Sequence, residues 1–340
     1  MRIGVLTGGG DCPGLNPAIR GIVFRAIDFN YEVVGIFEGW KGLIKNTSKT
    51  LTLEEVEEII SKGGTILGTS RTNPTKKEED MQKVFENFKA MNLDALIAIG
   101  GEDTLGVANK LHQKGLPVVG VPKTMDNDLS CTDFTFGFDT SVTIAIDALE
   151  RLRDTARSHR RVMVFEVMGR HAGWVALYTG IGGGADWILI PEKSVEVDKM
   201  CEHLKKAHAR KKYAIVVVSE GVQLPSANAE KEELDAFGHM ILKKRGIGEA
   251  IAEEIEKKTG IETRTAAIGH IQRGGSPTLF DRILGTRVGV KAVELIQEKN
   301  FGKMACLKGN EVIAAPLSEA VSTLKTVDES WVNFANKLIK

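Results

Sequence analysis

The stretch Pro122-Lys123-Thr124-Met125-Asp126-Asn127-Asp128 decides how this chain is interpreted. It follows the apolar run 117–121, which is typical of a buried strand, so its lysine and carboxylates emerge at the carboxyl end of that strand. In an open parallel sheet, ligands bind at this edge. The stretch therefore predicts a parallel strand with a functional site at its end.

Two more loops of this character follow apolar runs. The glycine-rich loop 8–14 comes after the run 3–7, and the loop 100–104 comes after the run 95–99. Glycines at such turns let backbone N–H groups approach phosphate oxygens, and the helix that follows presents its positive end. These two loops therefore indicate phosphate binding.

Four carboxylates on the second loop and the central stretch suggest a metal ion. Glu102, Asp103, Asp126 and Asp128 would repel a phosphate unless a divalent cation lay between them. One glycine-rich loop and two acidic loops at strand ends together favour metal-assisted phosphoryl chemistry.

Composition narrows the class of protein. The chain has 340 residues, which predicts two domains, and its 45 basic and 45 acidic residues argue against a nucleic-acid or membrane-surface protein held by bulk charge. Its four cysteines are widely spaced, so neither a zinc site nor a disulfide framework is indicated. No apolar run approaches the ~20 residues needed to span a bilayer, and no signal peptide precedes the first strand. We expect a soluble, cytoplasmic protein.

Strand-like and helix-like segments alternate along the chain. This alternation predicts an α/β fold with doubly wound, mainly parallel sheets. A long helix over 139–159 is expected to pass between domains, and apolar strands at 162–167, 187–190, 214–218 and 266–268 predict the same architecture in the second half. The polar segment 226–234 is predicted to be an exposed loop.

Simpler explanations compete with the site hypothesis at each position. Asp126 and Asp128 could form an ordinary turn pair, Arg71 could be solvated, and His270 could be packed or solvated. A dehydrogenase is disfavoured because the loop 8–14 lacks the G-x-G-x-x-G spacing of dinucleotide-binding turns. The shared position of the acidic loops, the lysine and the glycine loop at strand ends favours a phosphoryl-transfer site.

Five segments together, in order and across nearly the whole chain, resemble the phosphofructokinase family. They are 8–11, 100–104, 122–128, 168–170 and 270–275. The resemblance implies two similar α/β domains that face an active-site cleft. It divides the chain into a larger phosphate-donor domain, 1–138 plus about 252–300, and a smaller fructose 6-phosphate domain, 139–251 plus about 301–340.

The resemblance also implies roles for individual residues. Asp126 matches the base that deprotonates the sugar 1-hydroxyl, with Thr124 and Asp128 beside it, and Glu102 matches the Mg²⁺-binding position, which is usually aspartate. Gly9 and Gly10 match the donor-phosphate loop, with Arg71 and Arg170 as candidates to neutralise the transferring phosphoryl group. The expected fructose 6-phosphate pocket comprises Met168, Gly169, Arg170, Glu220, His270 and Arg273, together with Arg161 and Arg264 supplied to a neighbouring subunit of a homotetramer or homodimer.

Two positions bear on the phosphate donor. Members that use ATP typically have glycine where this chain has Asp103 and Lys123, and the residues here resemble the pyrophosphate-dependent branch. The Asp103 carboxylate would repel the α-phosphate of a nucleotide, whereas Lys123 would supply positive charge to a pyrophosphate leaving group. The expected activity is therefore reversible transfer from Mg-pyrophosphate to fructose 6-phosphate. An ATP-dependent enzyme and a non-catalytic sugar-phosphate sensor remain the alternatives.

Overall fold

The computed structural model describes residues 1–224 and 246–339 of the chain. The predicted exposed loop at 226–234 lies outside these residues. Across the described ranges, no helix is both long and apolar enough to cross a membrane.

The strands form two sheets. Their bounds are β1 Arg2–Thr7, β2 Glu32–Ile36, β3 Ser48–Leu51, β4 Ala95–Gly100, β5 Val118–Pro122, β6 Val162–Val167, β7 Trp187–Leu189, β8 Ala214–Ser219, β9 Thr263–Ala267, β10 Lys303–Lys308 and β11 Glu311–Pro316.

The helices cover both faces of these sheets. Their bounds are α1 Leu15–Asp28, α2 Trp40–Lys45, α3 Leu53–Val56, α4 Glu78–Ala90, α5 Glu102–Gln113, α6 Phe138–His159, α7 Trp174–Gly182, α8 Val197–Lys211, α9 Ile247–Thr259, α10 Leu279–Gln297, α11 Leu317–Ala320 and α12 Glu329–Leu338. Short 3₁₀ turns lie at Pro74–Lys76 and Gly269–Arg273.

The larger sheet has seven strands in the order β11-β10-β5-β4-β1-β2-β3. Its five central strands are parallel, while β3 and β11 pair antiparallel at the edges. The strand order reverses between β1 and β4, which is the topological switch point where ligands bind in open α/β sheets. The loops after β1 and β4 meet at this point.

The smaller sheet has four parallel strands in the order β7-β8-β6-β9. Its order reverses at β6, so the loops after β6 and β9 form a second switch point. Near-continuous apolar strands such as β4 and β8 are buried on both faces, as parallel sheets require. The predicted fold class, α/β with doubly wound and mainly parallel sheets, is confirmed.

The sheets divide the last third of the chain differently from the predicted segments. β9 joins the smaller sheet by pairing with β6, although 252–300 was expected in the larger domain. β10 and β11 join the larger sheet, although 301–340 was expected in the smaller domain; β10 pairs with β5, whose edge would otherwise have unpaired backbone groups. Two helices follow the expectation, since α10 packs against α1 and α12 packs against α7.

Candidate active site

Lys123 connects two of the phosphate-site loops. Its backbone N–H donates to Gly100 O at 2.9 Å, and its Nζ donates to Gly10 O at 2.5 Å. The side chain is only 4 % exposed. Burial pulls the pKa of Lys123 below its usual value, and the charge of Arg273 adds to this effect, while Asp126 opposes it. A buried cation therefore lies between the glycine loop and the acidic stretch.

Hydrogen bonds within the acidic stretch hold Asp126 in place. The Asp126 N–H donates to Thr124 Oγ1 at 3.1 Å, and Thr124 O accepts from Thr135 Oγ1 at 2.6 Å. Asn127 takes a left-handed conformation with φ of 52°, and its Oδ1 accepts from the Thr135 N–H at 3.1 Å. The loop is thus fixed by polar side chains on both sides of the carboxylate.

Two half-buried carboxyls near Asp126 have raised pKa values. Burial raises the pKa of Asp128 to about 7, and the neighbouring Asp126 charge adds to the shift. Burial also raises the pKa of Glu220 to about 7, again with a contribution from Asp126. This concentration of negative charge suits a site that receives a cation or the positive groups of other loops.

The glycine loop has no space for a side chain at Gly8 or at Gly10. Gly9 adopts φ of +79°, and its N–H donates to Ser70 O at 3.1 Å. A Cβ on Gly8 would lie 2.5 Å from Thr104 Oγ1, and a Cβ on Gly10 would overlap the Arg273 guanidinium. Glycine at 8 and 10 therefore allows the loop to pack against α5 and against the arginine.

One of the two expected helix starts faces the cavity. The sequence suggested that the helices after the loops 8–14 and 100–104 both point their positive ends at the phosphates. In the structure the cavity is lined by Gly101 and by the first turn of α5, Glu102 to Thr104, whereas α1, which begins at Leu15, does not line it. These residues are brought there because β4 lies beside β1 at the switch point.

One cavity collects most of the predicted residues. Those that line it are Gly9, Gly10, Arg71, Glu102, Asp103, Lys123, Thr124, Asp126, Asp128, Arg170 and Arg273. Further lining residues were not singled out from the sequence, namely Asp11, Gly101, Thr104, Met125, His171 and Leu324. The cavity thus joins loops from both sheets.

Hydrogen bonds connect the loops beside this cavity that carry Met168, Gly169 and Glu220. The Met168 N–H donates to Gln272 Oε1 at 2.8 Å, the Gly169 N–H donates to Glu220 Oε1 at 3.4 Å, and Ser219 Oγ donates to Gly169 O at 2.6 Å. Gln272 is fully buried and also donates to Ser141 Oγ at 3.1 Å. It ties together the loops after β6 and β9, a role that its place in the segment 270–275 did not reveal.

Three other predicted residues lie outside the cavity lining. His270 is exposed. Arg161 and Arg264 both pair with Glu262, at 3.6 and 2.8 Å, at the amino ends of β6 and β9. Since the six residues of β6 span roughly 20 Å, these arginines lie at the opposite end of the smaller sheet from the cavity.

Comparison with known proteins identifies related chains. The phosphofructokinase family model matches residues 2–296. A pyrophosphate--fructose 6-phosphate 1-phosphotransferase of Dictyoglomus thermophilum is 56% identical over 345 residues, covering 99% of both chains. ATP-dependent 6-phosphofructokinase 2 of Streptomyces coelicolor is 47% identical over 343 residues, covering 99% of this chain and 100% of the relative.

Solved structures show the same fold. The chain matches the T-state phosphofructokinase of Pichia pastoris with a TM-score of 0.84 and 29% identity, covering 99% of this chain but only 36% of that one. It matches the pyrophosphate-dependent phosphofructokinase of Marinobacter aquaeolei with a TM-score of 0.83 and 23% identity, covering 100% of this chain and 92% of that one. The second likeness shows the fold alone.

Proposed function

The chain belongs to the phosphofructokinase family, and on that premise we propose that it transfers a phosphoryl group reversibly from Mg-pyrophosphate to the 1-hydroxyl of fructose 6-phosphate. The products are fructose 1,6-bisphosphate and phosphate. Curated relatives at 49–56% identity are named for this reaction, whereas relatives at 45–47% identity are named ATP-dependent. A glycolytic role in the cytoplasm fits this chemistry.

Asp126 is the proposed base. It lines the cavity at the carboxyl end of β5, and Thr124 and Asn127 hold the loop that carries it. In this role it orients the 1-hydroxyl and accepts its proton as the oxygen attacks phosphorus. Thr124 and Asp128 complete the acceptor side of the site.

Positive groups converge on the space for the transferring phosphoryl group. Lys123, Arg71 and Arg170 line the same cavity as Gly9 and Gly10. We assign the glycine-loop backbone to donor-phosphate binding and the three cations to charge dispersal on the phosphoryl oxygens. The Lys123 charge lies nearest the backbone of the glycine loop and would stabilise the departing phosphate.

Mg²⁺ fits the donor set of the cavity. Across residues 1–224 and 246–339 no cluster of three or more His, Cys, Asp or Glu side chains forms a complete metal cage. Mg²⁺ usually binds through one or two carboxylates plus substrate phosphates, so Glu102 with pyrophosphate oxygens is a suitable ligand set. When bound, the ion would neutralise phosphate charge beside the half-buried carboxyls.

The sugar phosphate is assigned to loops of the smaller sheet. Met168, Gly169 and Glu220 would contact the sugar, while His270 and Arg273 would bind its phosphate group. Arg161 and Arg264 lie far from the cavity of their own chain, so we assign them to the site of a neighbouring subunit in a homodimer or homotetramer. A shared site of this kind requires a symmetric oligomer.

The observation that carries the choice of donor is the joint presence of Asp103 and Lys123 in the cavity wall. A carboxylate in the first turn of α5 repels a third phosphate group, because two like charges about 4 Å apart repel by roughly 4 kcal/mol near a protein surface. Pyrophosphate has no third phosphate and gains from the lysine.

Asp103→Gly is expected to admit ATP. Removing the carboxylate should raise kcat/KM for ATP by roughly 10-fold or more. The value for pyrophosphate should fall, but by a smaller factor. Asp103→Asn is the matched control, since it removes the charge and keeps the size. Initial rates with both donors provide the measurement, and an unchanged donor ratio in both variants would refute exclusion by Asp103.

A further inference from the structure

A short segment near the carboxyl end crosses between the two halves of the active site. Residues 323–327, here called the clasp, lie between α11, which packs with the larger sheet, and α12, which packs against α7. Leu324 of the clasp lines the active-site cavity. The clasp is therefore part of the cavity wall and a connection between the two units.

On one side, the clasp binds the loop that carries Asp126 and Asp128. The Lys325 N–H donates to Asp128 O at 2.9 Å, and Leu324 pairs with Leu129 as an antiparallel bridge. The Lys325 Nζ donates to Thr132 O at 3.0 Å and to Asp133 O at 2.7 Å. Lys325 thus binds three backbone carbonyls, one in the acidic loop and two shortly after it, and holds the end of that loop in place.

On its other side, the clasp binds the end of the sugar loop 168–173. Lys325 O accepts from Trp174 Nε1 at 2.8 Å, and the Lys325 ammonium lies 5.5 Å from the centre of the Trp174 ring. Glu192 Oε1 accepts from both the Gly173 N–H, at 2.8 Å, and the Val327 N–H, at 2.9 Å. The same few residues therefore reach the loops from both sheets.

We propose that Lys325 is a positioning residue, which sets the distance between the base loop and the sugar loop through the clasp. This inference rests on the proposed function, because it assigns Asp126 to the acceptor hydroxyl and the loop 168–173 to the sugar. Lys325 is hydrogen-bonded both to Asp128 and to Trp174, so it can transmit the constraint from one loop to the other. A misplaced acceptor lowers the rate even when each substrate still binds.

The chemistry of Lys325 suits this role. Burial lowers the pKa of Lys325 to about 8, with Asp133 and Asp128 opposing the shift and Lys308 adding to it, so the ammonium remains charged at neutral pH. A charged group retained in a mainly buried place needs strong acceptors, and the two carbonyls and the indole face supply them.

Lys325→Met tests the proposal, with Lys308→Met as the matched control. Lys308 also contacts Asp133, at 3.0 Å, but through an exposed ion pair that does not reach the sugar loop. For Lys325→Met we expect kcat to fall about 10-fold, KM for fructose 6-phosphate to rise and KM for the phosphate donor to stay within about twofold. For Lys308→Met we expect wild-type kinetics.

Amide hydrogen exchange gives a readout that does not depend on the reaction. Lys325→Met should speed exchange in both 126–133 and 169–177, whereas Lys308→Met should not change exchange in the second segment. Wild-type kcat in Lys325→Met, equal losses in both variants, or exchange that changes in the first segment alone would each overturn the proposal.

A milder pair of variants covers the case in which Lys325→Met does not fold. Trp174→Phe leaves an aromatic ring but removes the N–H that binds Lys325 O, and Trp331→Phe makes the same change in the neighbouring ring, 6.2 Å from that of Trp174. A lower kcat in the Trp174 variant but not in the Trp331 variant supports the clasp proposal, and equal behaviour of the two overturns it.

The test does not depend on which phosphate donor the enzyme uses. Rates are taken relative to wild type with the donor that the wild type uses, so failure of the pyrophosphate assignment leaves this test intact. If the wild type transfers no phosphoryl group, the proposed function fails and the exchange data alone decide on the clasp.

Discussion

At the scale of single residues, the site gathers negative charge that folding does not favour. Asp128 and Glu220 are both half-buried close to Asp126, and both have a pKa of about 7. These groups bind protons more tightly in the folded chain than in the unfolded one. A bound Mg²⁺ ion would relieve this cost, so the arrangement favours binding at the expense of stability in the empty protein.

This charge predicts that the stability of the substrate-free protein falls as pH rises. Between the unfolded values near 4 and the folded values of about 7, the folded state holds more protons, so the free energy of unfolding decreases with pH across this window and stays low above it. Asp128→Asn removes one such group. Its Tm should exceed that of wild type by a few degrees at pH 8 and by clearly less at pH 5.

The measurement is thermal unfolding without metal or substrate at several pH values. Asp147→Asn is the control, because Asp147 forms an exposed pair with Arg151 and lies far along α6. A Tm difference between Asp128→Asn and wild type that is the same at every pH would contradict a titrating, half-buried Asp128.

The positions of most site residues could be predicted because they follow strands. Gly9, Glu102 and Lys123 lie just after parallel strands, at the carboxyl edge of the larger sheet. The alternation of strands and helices in the sequence is enough to predict that edge. Gln272 and Leu324 could not be found in this way. Gln272 acts through a hydrogen bond to Met168, 104 positions away, and Leu324 follows no strand, so their roles depend on tertiary packing.

At the scale of elements, glycines allow α1 and α10 to pack closely. A Cβ on Gly21 would lie 2.6 Å from Thr286 O, and one on Gly285 would lie 2.7 Å from Gly14 O. Both contacts are with backbone atoms, which cannot move aside as a flexible side chain would. This contact attaches α10 to the larger sheet's helices, beyond the loop 274–278 that follows Arg273.

Gly21→Ala is therefore expected to destabilise the protein. The change gains up to about 1 kcal/mol of helix propensity but costs about 1–3 kcal/mol of overpacking, and the rigid backbone contact favours a net loss. Gly106→Ala is the matched control, since Gly106 also lies within a helix and a Cβ there would meet nothing within 4 Å. Denaturant unfolding should show a loss for Gly21→Ala and a small gain for Gly106→Ala, and equal shifts would contradict the close packing.

Strands β10 and β11 show where sequence patterns did not suffice. The segment Lys303–Lys308 has four apolar residues between two lysines, which is too short for periodicity to separate strand from helix. Its place in the larger sheet depends on pairing with the edge of β5, a strand far away in the sequence, which the local pattern does not show. The runs at β1, β4 and β5 were predictable because they are mostly apolar and are followed directly by glycine-rich or acidic loops.

At the scale of the whole molecule, Arg161 and Arg264 lie far from the cavity of their own chain. If they serve a neighbouring subunit, two variants that are each inactive should complement one another. Asp126→Ala is expected to lower kcat by ~10² or more, and Arg161→Ala to weaken sugar-phosphate binding. Co-expression should restore roughly a quarter of wild-type activity, because half of random pairs are mixed and each mixed pair has one intact site.

Asp126→Ala with Glu220→Ala is the matched control for this mixing. Both residues belong to loops that meet within one chain, so their mixed oligomers should contain no intact site. Activity assays on the co-expressed, purified oligomers decide the matter. No recovery with the Arg161 variant, or equal recovery in the control, would contradict a shared site.

The most direct test of the donor assignment is an initial-rate comparison on the purified wild-type protein. Fructose 6-phosphate and Mg²⁺ are held at saturation, and either pyrophosphate or ATP is varied. Because Asp103 and Lys123 both line the cavity, kcat/KM for pyrophosphate should exceed that for ATP by at least ~10²-fold. Efficient turnover of ATP with little or none of pyrophosphate would contradict it.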